Sequence, residues 1–152
     1  MFKKVVVCLD GSKLAEQILP FVQAGAAKFN SKVVLLRVMD VPSAIPYIDG
    51  TPPDADIVTP KCHKEEEDAG KFLDGIAISL RDKGLDVESV ILHRVSVDEA
   101  ILDYAAENEV DIIAMTTHGR SGLLRTVLGS TADSVVRKSG LPVMVISPKC
   151  IE

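Results

Sequence analysis

At 152 residues with 47% apolar side chains, the chain is long enough to bury one substantial core without disulfides or metals, and a single domain over 1–152 is expected. Its net charge of -5, with 26% charged residues spread along the length, opposes the phosphate backbone and argues against DNA or RNA as a partner. No apolar run reaches membrane-spanning length, and the first four residues lead straight into a strand-like stretch rather than a signal-peptide core, so a cytoplasmic protein without membrane contact is expected.

Residues 4–9, Lys-Val-Val-Val-Cys-Leu, form a short β-branched run of the kind buried on both faces of a parallel sheet. After Asp10-Gly11-Ser12, apolar residues recur at Ala15, Ile18, Leu19, Val22, Ala26 and Phe29, the spacing of one helix face. Pro20 is expected to kink this helix without ending it, because the pattern resumes beyond it. Residues 32–39, Lys-Val-Val-Leu-Leu-Arg-Val-Met, read as the second buried strand.

The stretch 41–61 carries Pro42, Pro46, Pro52, Pro53 and Pro60 and reads as a long surface loop. From Lys64 the acidic run Glu65 to Asp68 suits the first turn of a helix, with Ala69, Phe72, Leu73, Ile76, Ala77 and Leu80 as its apolar stripe and Gly84 as its stop. Residues 87–95 form the third strand, and Ser96-Val97-Asp98-Glu99 has the form of a capping box opening a third helix to about Glu109. Residues 111–115 are the fourth strand, 130–138 a short helix and 142–147 the fifth strand. Strands alternating with helices call for right-handed crossovers and a sheet covered on both sides.

Cys8, Cys62 and Cys150 are an odd set without CxxC spacing, which implies reduced thiols rather than a disulfide framework. The neighbours Cys62 and His63 are too few for a zinc site, so no metal is expected on side chains.

Ligands on open α/β sheets bind beyond the carboxyl ends of the strands, where the strand order reverses. The first strand ends in Asp10-Gly11-Ser12, and the fourth runs into Thr116-Thr117-His118-Gly119-Arg120-Ser121-Gly122. That loop continues through Arg125 to Gly129-Ser130-Thr131 at a helix start. Glycines let backbone amides approach a phosphate, and a helix N-terminus adds unpaired N–H groups and a favourable dipole. Ser130 or Thr131 can cap the helix or donate to a phosphate oxygen, while Arg120 and Arg125 read as the only local cations. Asp10 suits either ribose or adenine recognition or capping of the following helix together with Ser12. His118 has no serine or cysteine nucleophile beside it and makes no triad argument.

These residues resemble the universal stress protein family, whose nucleotide-binding branch carries Gly-x-x-Gly, nine residues, then Gly-Ser or Gly-Thr; here Gly119, residues 120–128 and Gly129-Ser130 match its second half. The likeness extends to residues 7–12, 35–40, 111–121 and 141–145. It implies a doubly wound α/β sandwich with a five-stranded, mainly parallel sheet in the order 3-2-1-4-5 and helices on both faces. It further implies a stress-response regulator that binds ATP, with any Mg2+ held through the phosphates. Asp10 would meet the ribose and adenine edge, the Val38 backbone the adenine, and Met115 would pack near the base, with Cys8 at the same end of the first strand. Gly119, Arg120, Gly129, Ser130 and Thr131 would surround the phosphates. The resemblance also implies a homodimer through the last strand, Val143 to Ile146, and an unidentified protein partner.

The first motif glycine is Thr116 here. A positive φ at this position would strain a β-branched residue by about 1–3 kcal/mol, whereas a negative φ would let its hydroxyl face ribose or phosphate. The departure keeps a second reading open, that of an interaction module of the same fold that holds no nucleotide. A phosphoacceptor receiver domain, suggested by Asp40, Thr116 and Lys149, is disfavoured because the third strand ends His93-Arg94-Val95-Ser96 without an acceptor aspartate. No general base or carboxylate pair stands out, so at most slow ATP hydrolysis is expected.

Overall fold

The computed structural model describes residues 2–40, 60–117 and 128–148. In chain order these form β1 (Lys4–Cys8), α1 (Lys13–Glu16), α2 (Leu19–Phe29), β2 (Lys32–Asp40) and α3 (Pro60–Arg81). They continue with β3 (Asp86–Arg94), α4 (Val97–Glu107), β4 (Ile112–Thr116), α5 (Ser130–Lys138) and β5 (Val143–Ile146). The five strands make one sheet in the order β3-β2-β1-β4-β5, and every neighbouring pair is parallel.

Alternation along the central strands assigns each apolar side chain to one of two cores. Val5, Val7, Val33 and Leu35 share a core with Ala15 of α1, Ile18 at the cap of α2, Val22 of α2, and Leu73 and Ala77 of α3. Val6, Val34, Leu36 and Ile113 meet Ile101, Ala105, Ala132 and Val135 of α4 and α5. Uninterrupted Val-Val-Val and Val-Val-Leu-Leu runs arise because both faces of these strands are covered. The base of the sheet is pinned by Asp111, whose carboxylate accepts from the backbone N–H groups of Lys3 (2.7 Å) and Lys4 (3.0 Å). Those amides, Lys4 first, hold its carboxyl below the usual carboxylate range.

Four local expectations change. The first helix divides in two: Gln17 and Ile18 close tight turns onto Leu14 and Ala15, and Pro20 falls in the first turn of α2. A proline there loses no hydrogen bond, since the first-turn amides have no intrahelical acceptor. Helix α3 begins at Pro60, so Pro60 and Lys61 belong to a helix rather than the loop, and the acidic run lies beyond its first turn. The capping box does not form, because Ser96 makes no cap hydrogen bond and donates its hydroxyl to Asp98 instead. Phe29, on the expected buried face, is 51% exposed and sits against Phe2, ring centroids 5.4 Å apart. The remainder of the proline-rich loop, 41–59, lies outside the described residues.

Candidate functional site

Strand β1 has β2 on one side and β4 on the other, so the chain reverses its winding direction between β1 and β4. At such a point the helices on the two faces diverge and leave a crevice above the strand tips. The crevice here is a cleft of about 610 Å3. Cys8 at the end of β1 and Asp10 just beyond it, Val38 from β2, Met115 and Thr116 from β4, and Gly129, Ser130 and Thr131 at the head of α5 all line it. Segments more than a hundred residues apart in sequence are thus brought to one wall by the parallel register. Gly119 and Arg120, with His118, Gly122 and Arg125, lie outside the described residues.

Each wall has its own local cause. Asp10 Oδ1 accepts from the Ser12 backbone N–H (2.9 Å) and hydroxyl (2.6 Å), and the Ser12 oxygen in turn accepts from Ala15 N–H at 3.1 Å. Ser12 is therefore the N-cap of α1 and Asp10 buttresses it, which fixes the carboxylate at the cleft edge. Cys8 is partly buried beneath, and loss of water pushes its thiol up to about 12. It stays protonated near neutrality and so presents no thiolate nucleophile there.

Thr116 lies within β4, paired with Ile146, and is 8% exposed. Its φ is not positive, so the strained alternative does not hold.

Helix α5 is capped by Gly129, not by Ser130 or Thr131, and the cap makes no side-chain hydrogen bond. Gly129 N–H donates to the Thr117 carbonyl at 3.0 Å. A Cβ at Gly129 would stand 2.5 Å from that carbonyl oxygen, so glycine lets the helix start against the tip of β4. Laterally, Asp98 of α4 accepts from the hydroxyl of Ser134 on α5 as well as from Ser96. These hydroxyls, Ser134 first, hold the Asp98 carboxyl below its usual range and tie α5 to α4.

Arg37 was missed by the sequence reading. It is buried at 8% exposure and lines the cleft near the tip of β2, so Arg120 and Arg125 are not the only local cations. The signal was a lone cation inside an otherwise apolar strand. Glu65 of α3 also reaches the cleft. Among the described residues, no three His, Cys, Asp or Glu side chains gather as a metal-binding group, and no helix is long and apolar enough to cross a membrane.

The fold has counterparts among known proteins. The model of the universal stress protein family matches residues 1–147. The chain belongs to this family. Universal stress protein MJ0577 of Methanocaldococcus jannaschii is 30% identical, over 98% of this chain and 97% of its own length. The solved structure of MJ0577 superposes with a TM-score of 0.80 at 29% identity, covering 99% of each chain. A universal stress protein from Archaeoglobus fulgidus, solved in complex with dAMP, matches with a TM-score of 0.62 at 25% identity over 97% of this chain and 100% of its own. The universal stress protein family therefore includes a member that holds an adenine nucleotide.

Proposed function

We propose that this universal stress protein is a regulatory ATP-binding protein whose nucleotide lies across the tips of β1, β2 and β4. The observation that carries the reading is the convergence of Asp10, Val38, Met115, Thr116 and the start of α5 on one cleft at the switch point. The dAMP complex of the Archaeoglobus fulgidus relative supports the choice of an adenine nucleotide.

In this reading Asp10 accepts from the ribose hydroxyls and the Val38 backbone meets the adenine edge. Met115, 5% exposed, supplies an apolar contact for the base, with Cys8 and Thr116 on the same floor. Ser130 and Thr131 receive the phosphates through first-turn amides that have no intrahelical acceptor and through two hydroxyls, while Gly129, its own N–H held by Thr117, lets the phosphates approach. Gly119 and Arg120 are assigned to the phosphates as well, from the likeness in sequence alone. Magnesium rides on the phosphates; among the described residues no three His, Cys, Asp or Glu side chains gather to hold it instead. Any hydrolysis is slow, and the protein acts in the stress response by presenting a nucleotide-dependent surface in the cytoplasm.

Calorimetric titration of nucleotide-stripped protein with ATP and magnesium tests this. Micromolar binding is expected, weakened about tenfold or more in a Ser130→Ala, Thr131→Ala double variant that loses two hydroxyl donors to charged oxygens. No heat, together with an unmoved melting temperature at millimolar ATP, would sink the reading.

The protein is also proposed to dimerise through β5. This strand ends the sheet beside β4, and all four of its residues are only partly buried. An apolar edge invites pairing with its twin. Sedimentation should give twice the mass of one chain, falling to one chain mass in Val145→Lys; a monomeric wild type rules the dimer out.

A further inference from the structure

Arg37 is the charged interruption in an otherwise apolar stretch of β2. Val33 and Leu35 face the core beneath the first three helices, and period-two alternation brings Arg37 to the same face. There its Cζ stands 5.9 Å from the centre of the Phe72 ring on α3, within cation–π range. On the other side, Nη1, Cζ and Nη2 lie 2.7, 3.0 and 3.1 Å from the point a Cβ on Gly11 would occupy. The guanidinium therefore fills the space of a missing side chain at position 11. Gly11 also has φ +85°, a conformation that suits glycine.

Gly11 is the middle of the turn that carries Asp10, and the Asp10 carboxylate reaches over it to Ser12. Arg37 is thus wedged between α3 and the turn whose carboxylate is proposed to read the sugar. Lysine cannot reproduce this, because a flexible point charge lacks the flat surface that packs between a ring and a peptide.

We propose that Arg37 is a positioning residue for sugar recognition: its guanidinium, supported on Phe72, clamps the Asp10-Gly11-Ser12 turn so that the Asp10 carboxylate meets the ribose hydroxyls. The proposal rests on the nucleotide-binding reading above. It makes the β2 tip a determinant of how well ribose is distinguished, separate from the phosphate grip at α5. It also links α3 to the sugar end of the cleft through one side chain.

The test titrates wild type, Asp10→Asn, Arg37→Lys and Arg37→Met with ATP and with 2′,3′-dideoxy-ATP, which lacks both sugar hydroxyls. Wild type should prefer ATP by about tenfold, the scale of hydrogen bonds to a carboxylate. Both Arg37 variants should lose most of that preference, as Asp10→Asn does, while binding dideoxy-ATP nearly as well as wild type. Phe72→Leu leaves Arg37 in place but removes its support, and should lower the preference even if the Arg37 variants melt. Equal loss for both ligands would make Arg37 a merely structural residue and overturn the proposal, as would an unchanged preference. A wild type that binds both equally overturns it too, with nucleotide binding intact. Binding of neither ligand by the wild type defeats the nucleotide reading itself.

Discussion

Gly129→Val is expected to weaken ATP binding by about a hundredfold, the scale set by displacing a positioned group by roughly 1 Å. Cβ is the cause. It would stand 2.5 Å from the Thr117 carbonyl oxygen, well inside contact distance. That carbonyl has little freedom to retreat, because the Thr117 N–H is bonded to Ile146 at 2.9 Å and continues the β4–β5 ladder. The start of α5 must yield instead, which separates Gly129 N–H from Thr117 and carries Ser130 and Thr131 away from the cleft. Ala132 and Val135, buried in the second core, resist that movement. Stability should therefore also fall, by about 1–3 kcal/mol as in other overpacked sites. Calorimetry for affinity and a thermal melt for the fold check both parts. Wild-type affinity in this variant would mean that the phosphates are not held at the head of α5.

The same glycine shows how far a sequence can be read. Gly129 stood out because it precedes two hydroxyl residues at a helix start, and that position was legible. The obstacle that demands glycine is the Thr117 carbonyl at the tip of β4, twelve residues earlier in the chain, and no local pattern contains it. Strand order was expected from the family likeness, and the apolar runs supported it, since only strands covered on both faces can be so uniformly apolar. That uniformity also hid Arg37. In a half-exposed strand, alternation marks which residues face inward, but in 33–39 both faces are apolar and the period gives no bearing on where residue 37 lies. Local chemistry misled where two satisfactory arrangements competed. Ser96 has the sequence of a cap, but its hydroxyl goes to Asp98, which Ser134 also engages from another helix. Pro20 reads as a kink inside a helix and Pro60 as part of a loop, yet each suits a first turn, where the missing N–H costs nothing.

Leu35→Ala is expected to lower stability by about 2–5 kcal/mol, the range for a buried leucine whose cavity only partly collapses. Leu35 is 0% exposed and sits on β2 between Val7 of β1 and Ser89 of β3, so neighbouring strands hold the walls of the cavity apart. For a chain of this size the melting temperature should drop by about 5–15 °C, a large share of the stability margin of an ordinary domain. Leu35 faces the core beneath α1, α2 and α3, whereas its neighbour Leu36 lines the cleft. Cleft geometry should therefore survive, and ATP at a hundred times its dissociation constant should restore about 2.7 kcal/mol. Leu35→Ala should accordingly melt early yet bind ATP within about threefold of wild type, since a buried methylene deletion away from the ligand leaves the hydrogen-bonding groups in place. Gly129→Val should show the opposite balance, with most of its effect on affinity. If Leu35→Ala loses binding as fully as Gly129→Val does, measured well below its own melting temperature, the cleft is not held by the strand tips independently of the core, and the assignment of the phosphate grip to the head of α5 loses its support.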